Sequence, residues 1–233
     1  MRIDLHMETP VPALPSGCSL SFPTTYTYHA PTGTPSGKRH YLFHGFNGSV
    51  AQWNSAPYLG LVTTLRAAGD SVALLSSPAP QACHWTNGGW QVREQFNAAL
   101  NTIMDAVEAL YGPAVNRSGG CSMGGYWAMI AAASSGRITE WWAHLPVTRV
   151  DALTELSGVG NAHRANPQYL IDELALKPGW LGWGTADYRV NWTLTKAIAD
   201  QLPATVSKHE YVGQDHTTTA GHVNDILTWL AAI

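Results

Sequence analysis

One stretch of the chain decides the fold: AVNRSGGCSMGG, residues 114–125. Its first part, residues 114–118, has the pattern of a short strand, and the next residues match G-x-S-x-G around Ser122. A run of small and apolar residues through Ala133 follows and predicts a helix. In a strand, turn and helix of this kind, glycines permit a turn tight enough to raise the serine clear of the sheet. The stretch therefore predicts Ser122 as a nucleophile at the sheet edge.

Working outward from Ser122, strand patterns alternate with helix patterns along the chain. This alternation predicts a mostly parallel sheet with helices on both faces, built as one domain over residues 1–233 with 1–37 as an N-terminal lead and edge strand. Two segments, 138–147 and 161–177, interrupt the rhythm and are interpreted as a small lid. The predicted strands are 19–29, 39–43, 70–76, 114–118, 149–156, 179–184 and 205–212, and the predicted helices begin near 50, 90, 126, 193 and 219.

Two further loops carry the residue types that activate a serine. Asp187 follows the apolar strand predicted over 179–184, and His216 lies between the last predicted strand and the last predicted helix. A histidine takes the proton from the serine, and a carboxylate orients the histidine. Because all three residues follow strands, in the order Ser, Asp, His, the sequence predicts a triad of Ser122, Asp187 and His216.

Other residues compete for two of these roles. His222 is the alternative base, but it falls where the last helix begins and is better interpreted as a surface or capping histidine. Asp215 adjoins His216 and cannot easily bend back toward it, while Asp225 falls within the last predicted helix. We therefore favour His216 as the base and Asp187 as the acid.

The segment His44-Gly45-Phe46 ends an early predicted strand and gives the site its expected second backbone donor. An acyl transfer needs two N–H groups that face the developing oxyanion. The amide of Met123, directly after the nucleophile, and the amide of Phe46 are the predicted pair.

Taken together, these motifs resemble the α/β-hydrolase superfamily, with a narrower similarity to polyester depolymerases and feruloyl esterases. The broad resemblance covers residues 39–233. The narrower one depends on residues 118–125 and 184–190 and on the Cys83-His84-Trp85 loop. The resemblance implies a serine hydrolase that needs no cofactor.

The reaction we expect is hydrolysis of a carboxylic ester through an acyl-enzyme, on short-acyl esters or on esters linked to a polymer or sugar. The same triad cuts amides and thioesters, so a peptidase and a thioesterase stay open as alternatives. A ligand-binding protein without catalysis is a third, since a fold does not dictate function. Tryptophans in or beside loops are candidates for an apolar wall around the substrate: Trp53, Trp85, Trp90, Trp141, Trp142 and Trp180.

Composition excludes several other classes. The chain has 45% hydrophobic and 12% charged residues and a net charge of -3, with no basic stripe, so nucleic acid is not an expected partner. The histidines show no metal-ligand spacing, and we expect no metal site. No stretch has the roughly 20 apolar residues of a membrane span, and no signal peptide is visible. The compartment and the oligomeric state stay open. A Cys18–Cys83 disulfide is conceivable, whereas Cys121 is expected to be buried filler.

Overall fold

The computed structural model describes residues 2–4, 25–46, 48–77, 89–150 and 166–233. These residues contain eight strands and six α-helices. The strands are β1 Arg2–Asp4, β2 Thr25–His29, β3 Lys38–Phe43, β4 Ser71–Leu75, β5 Val115–Cys121, β6 Ile138–His144, β7 Gly179–Gly184 and β8 Val206–Tyr211. The helices are α1 Tyr58–Ala67, α2 Gly89–Tyr111, α3 Met123–Ser134, α4 Ile171–Ala175, α5 Trp192–Ala199 and α6 Ala220–Ala232, with 3-10 turns at Val50–Asn54 and Pro167–Tyr169.

All eight strands belong to one sheet, in the order β1-β2-β4-β3-β5-β6-β7-β8. The six strands from β3 to β8 pair in parallel, while β2 is antiparallel to β1 and to β4. Parallel pairing requires each strand to return through a crossover, and the helices supply the crossovers. The carboxyl ends of the parallel strands therefore lie at one edge, with β5 near the middle. The mostly parallel sheet predicted from the sequence is confirmed.

Apolar side chains cover both faces of the sheet. On one face α2, α3 and α5 contribute to a core around Phe96, Met129 and Ile198. On the other face α1 and α6 pack through Leu61 and Ile226. Because β4 is buried along its whole length, its SVALL sequence is continuously apolar after the serine instead of alternating.

One predicted lid segment is an inner strand of the sheet. Residues 138–144 form β6, paired between β5 and β7, so the lid interpretation of 138–147 is wrong. The reason is a packing match: a Cβ at Gly119 of β5 would overlap the Trp142 ring, and one at Gly179 of β7 would overlap the Trp141 ring. The strand predicted over 149–156 lies outside the described residues except for 149 and 150, which are not in a strand.

The described part of the second predicted lid segment is also part of the body of the protein. Leu170 and Leu174 are buried in the core that α3 shares. Lys177 donates hydrogen bonds to the carbonyls of Ala132 and Ser135, at the end of α3 that is farther from Ser122. Residues 166–177 are therefore not a lid, and residues 161–165 lie outside the described chain.

The prediction that tryptophans form an apolar wall around the substrate is wrong for four of the six residues. Trp53, Trp141, Trp142 and Trp180 are fully buried, and the rings of the last three pack against glycines of the sheet. The side chains of Trp85 and Trp90 lie outside the described residues, as do Cys18 and Cys83.

The helix predicted to begin near residue 50 is divided in two. Pro57 separates the 3-10 turn from α1, as expected for a residue that lacks an N–H and clashes with the preceding helical turn. In the part of the chain that the structure describes, every helix is too short or too polar to cross a bilayer.

Candidate active site

Ser122 occupies a sharp turn between β5 and α3. Its φ of 57° and ψ of -123° lie in a region that non-glycine residues rarely adopt. Three hydrogen bonds hold this backbone: the Ser122 amide donates to the carbonyl of His144, and the amides of Tyr126 and Val147 donate to the carbonyl of Ser122. A Cβ at Gly124 would overlap the carbonyl oxygen of Phe43, and one at Gly120 would overlap the backbone of Gly124. The two glycines are thus required by close approach, as predicted.

The three residues predicted as a triad lie within hydrogen-bonding distance of one another. Nε2 of His216 is 2.9 Å from Oγ of Ser122, and Nδ1 of His216 is 2.6 Å from Oδ2 of Asp187. A carboxylate only accepts hydrogen bonds, so Nδ1 carries the hydrogen and Nε2 is left to accept from the serine hydroxyl. This is the order of contacts that makes a serine nucleophilic.

Asp187 is fixed from its other side by backbone. Its Oδ1 accepts from the amides of Arg189 and Val190, at 3.0 and 2.9 Å. The residue is buried, so these donors replace the water that a carboxylate would otherwise bind. The carboxylate is therefore held in one orientation toward His216.

The competing residues have other partners. His222 is buried at the start of α6, where its Nδ1 accepts from the Thr219 amide in a capping box. The capping interpretation is confirmed, and the surface position is wrong. Asp225 accepts a hydrogen bond from the Tyr211 hydroxyl, and Asp215 is exposed beside Gln214.

The backbone donors predicted for an oxyanion come from two neighbouring segments. Met123 begins α3, where first-turn amides have no acceptor within the helix. Residues 44–46, which we name the oxyanion loop, approach so closely that a Cβ at Gly45 would lie 3.6 Å from Cβ of Ser122. Phe46 lines the same cavity as Ser122.

His44 shapes the oxyanion loop, a role that sequence reasoning missed. Its Nδ1 lies 2.8 Å from the carbonyl oxygen of Gly45, and its Nε2 accepts from the amide of Ser77. Burial lowers the pKa of His44, which favours the neutral ring that this pattern needs. In the sequence, a single histidine after a strand did not indicate that its ring would hold this loop.

Ser122 and His216 open into a cavity of about 290 Å³. Sequence reasoning did not identify three of its lining side chains, because they come from separate parts of the chain and match no motif: Gln52, Tyr58 and Thr218. Cys121, also at this cavity, is only 5% exposed, and burial raises the pKa of its thiol, so it is a buried thiol as predicted. Among the described residues, no group of three or more His, Cys, Asp or Glu side chains is arranged to hold a metal ion.

Comparison with known proteins gives likeness in structure only. No protein-family model matches the chain, and no curated protein matches it. The crystal structure of TT1662 from Thermus thermophilus is similar with a TM-score of 0.66 at 16% identity, covering 92% of this chain and 97% of that one. A cold-adapted esterase from an Arctic intertidal metagenomic library has a TM-score of 0.64 at 18% identity, covering 88% and 87%.

An α/β serine hydrolase homologue from Coxiella burnetii has a TM-score of 0.59 at 14% identity, covering 90% and 91% of the two chains. At such identities the likeness concerns the arrangement of the backbone and not the substrate. It agrees with the central parallel sheet, the helices on both faces and the strand-turn-helix at Ser122. The chain has the α/β-hydrolase fold.

Proposed function

We propose that the protein is a carboxylic-ester hydrolase that works through an acyl-enzyme on Ser122. His216 removes the hydroxyl proton as the oxygen attacks the ester carbonyl, and it then gives that proton to the leaving alcohol. Water, deprotonated by the same histidine, releases the acid. Asp187 keeps the imidazole in the required tautomer and stabilises its charged form.

The amides of Phe46 and Met123 are the proposed donors to the oxyanion. Both are backbone groups that need no reorganisation during the reaction, which is what makes such donors effective. The observation that carries the proposal is the chain of contacts from Asp187 through His216 to Ser122, which ends at a cavity instead of in the core.

The proposed substrates are short-acyl esters or esters linked to a polymer or sugar. A cavity of about 290 Å³ is at the small end of ligand sites, which span about 300–1,000 Å³, and suits a short acyl group. The esterase among the structural neighbours supports this class of reaction without defining the acid or alcohol.

A substrate series tests the proposal. Turnover of p-nitrophenyl esters from acetyl to palmitoyl is measured beside feruloyl and acetyl-sugar esters, a peptide amide and an acyl thioester. We expect kcat/KM to be highest for the shortest acyl groups and to fall as the chain lengthens. Faster cleavage of the amide or the thioester would replace the ester assignment with the corresponding alternative. Failure of a fluorophosphonate probe to label Ser122 would favour the non-catalytic alternative.

A further inference from the structure

Tyr58, at the start of α1, lies on the wall of the cavity and has no part in the reaction described above. Its hydroxyl is 2.6 Å from Oγ1 of Thr218. Gln52 and Cys121 line the cavity beside it.

Each of these three residues belongs to, or holds, a different catalytic segment. Oε1 of Gln52 accepts the amide hydrogen of Gly45 at 3.0 Å and so fixes the oxyanion loop. Cys121 directly precedes the nucleophile. Thr218 lies two residues after His216, in the loop of residues 212–219 that we name the histidine loop.

The connection between two of these segments is itself hydrogen bonded. Oγ1 of Thr218 lies 3.3 Å from Sγ of Cys121 as well as 2.6 Å from the Tyr58 hydroxyl. The histidine loop is thereby tied both to the strand that carries Ser122 and to the start of α1. The rest of the histidine loop is bonded to the segment after β7, where the Ala186 amide donates to the carbonyl of Gln214 and the Gly213 amide donates to Oγ1 of Thr185.

We propose that Tyr58 is a positioning residue whose hydroxyl, through its bond to Thr218, holds the histidine loop in its reactive position beside the nucleophile and the oxyanion loop. This inference rests on the proposed function. The Tyr58 ring is fixed independently of the hydroxyl, since it packs edge-on against the buried Trp53 with centroids 5.1 Å apart. Removal of the hydroxyl alone therefore tests the network without removing the ring.

The first test uses Tyr58→Phe and Thr218→Val, with p-nitrophenyl acetate as the substrate. We expect each variant to lower kcat about tenfold with KM within about twofold of wild type, because small misplacement of reacting groups slows the chemical step. Labelling of Ser122 by a fluorophosphonate should slow in parallel. Thr218→Ser keeps the hydroxyl and should restore wild-type turnover. Since Thr218→Val breaks the same bond from another element, the test does not depend on one variant folding.

The double variant separates a shared network from two independent effects. If Tyr58 and Thr218 act through one bond, the kcat of the double variant should be within about twofold of the kcat of the slower single variant. The matched control is Tyr211→Phe, which removes another tyrosine hydroxyl with a hydrogen bond, to Asp225, away from the cavity. It should lose stability without loss of kcat.

Three results would overturn the inference: wild-type kcat in both single variants, a raised KM with unchanged kcat, or a double variant slowed by the product of the single effects. The second would make Tyr58 a substrate contact. Failure of the proposed function is distinguishable, since the wild-type protein would then cleave p-nitrophenyl acetate more slowly than the amide or the thioester, or would not be labelled at Ser122, whatever happens at Tyr58.

Discussion

Among the residues that the structure describes, two groups are made of a serine, an aspartate and a histidine, one at each end of the parallel strands. At the carboxyl end, His216 is the central member, in contact with Ser122 and Asp187. At the amino end, Asp70 is central: its Oδ1 accepts from the Ser36 hydroxyl at 2.5 Å, and its Oδ2 accepts from Nε2 of His40 at 2.8 Å.

The order of contacts within each group decides whether its serine can be activated or only helps to hold the fold together. A serine becomes a nucleophile only when a base accepts its proton, and in the amino-end group the serine and the histidine both donate to the same carboxylate. His40 is fully buried, and the guanidinium of Arg117 lies 3.9 Å from Asp70. The amino-end group therefore ties the segment before β3 to β3 and β4, while the carboxyl-end group faces a cavity. Residue types alone do not distinguish the two.

The largest expected effect is loss of turnover on removal of the nucleophile or base. Ser122→Ala and His216→Ala should each lower kcat on the order of 10⁶-fold, since the two residues act as a unit. Ser36→Ala is the matched control and should leave kcat unchanged. Steady-state kinetics with p-nitrophenyl acetate measure this, and activity within about tenfold of wild type in Ser122→Ala would contradict the triad.

Asp187→Asn should have the next largest effect. The amide would favour the wrong imidazole tautomer and cost on the order of 10⁴ in kcat near neutral pH, with the fold retained. Single-turnover kinetics and circular dichroism check both parts. If Asp215→Asn or Asp225→Asn loses activity while Asp187→Asn keeps it, the orienting acid is a different residue.

In the amino-end group, Asp70→Asn should cost stability and not turnover. The variant leaves His40 and Arg117 buried with a weaker partner, and breaking such a buried pair costs about 3 kcal/mol. Urea unfolding measures the loss, and kcat per folded molecule should match wild type. A loss under about 1 kcal/mol, or a large fall in kcat, would show that the two ends are not divided in this way.

Near neutral pH the smallest effect is a dependence of stability on pH. Burial lowers the pKa of His40, His144 and His222 in the folded protein. The unfolded chain takes up these protons near pH 6.5 and the folded protein does not. Stability is therefore complete above about pH 6.5 and falls below it, by up to about 1.4 kcal/mol per pH unit for each histidine.

His144→Phe sharpens this prediction. Both ring nitrogens of His144 are buried without a hydrogen-bond partner among the described residues, so phenylalanine removes a titrating group and breaks no bond there. Urea unfolding from pH 7.5 to 5.0 should give a flatter slope in the variant. Identical slopes would show that His144 does not contribute to the acid sensitivity.

The predictions from sequence were best where a residue's surroundings are local. The G-x-S-x-G turn contains its own explanation, and the strand over 179–184 was predicted with the bounds that the structure has. Asp187 and His216 could be selected because a loop after a parallel strand lies at a known edge of the sheet, even though nothing in the sequence gives their distance.

What could not be predicted depends on contacts between distant segments. The ITEWWAH sequence of β6 looks polar and irregular for an inner strand. Its two tryptophan rings pack against Gly119 and Gly179 of the flanking strands, and this match is visible only in the folded sheet. The same holds for Tyr58 and Thr218, which are 160 residues apart and meet through a single pair of oxygens. Neither pairing leaves a pattern along the chain.

The order of the strands has a further consequence for the order in which parts of the site unfold. Ser122 follows β5, which is paired on both sides and almost wholly buried, while His216 follows β8, the half-exposed last strand of the described sheet. Amide hydrogens at such an edge exchange through local opening, whereas those of a central strand exchange only on global unfolding. On warming, we expect the protein to release its histidine first and to keep a fully formed but inactive serine turn.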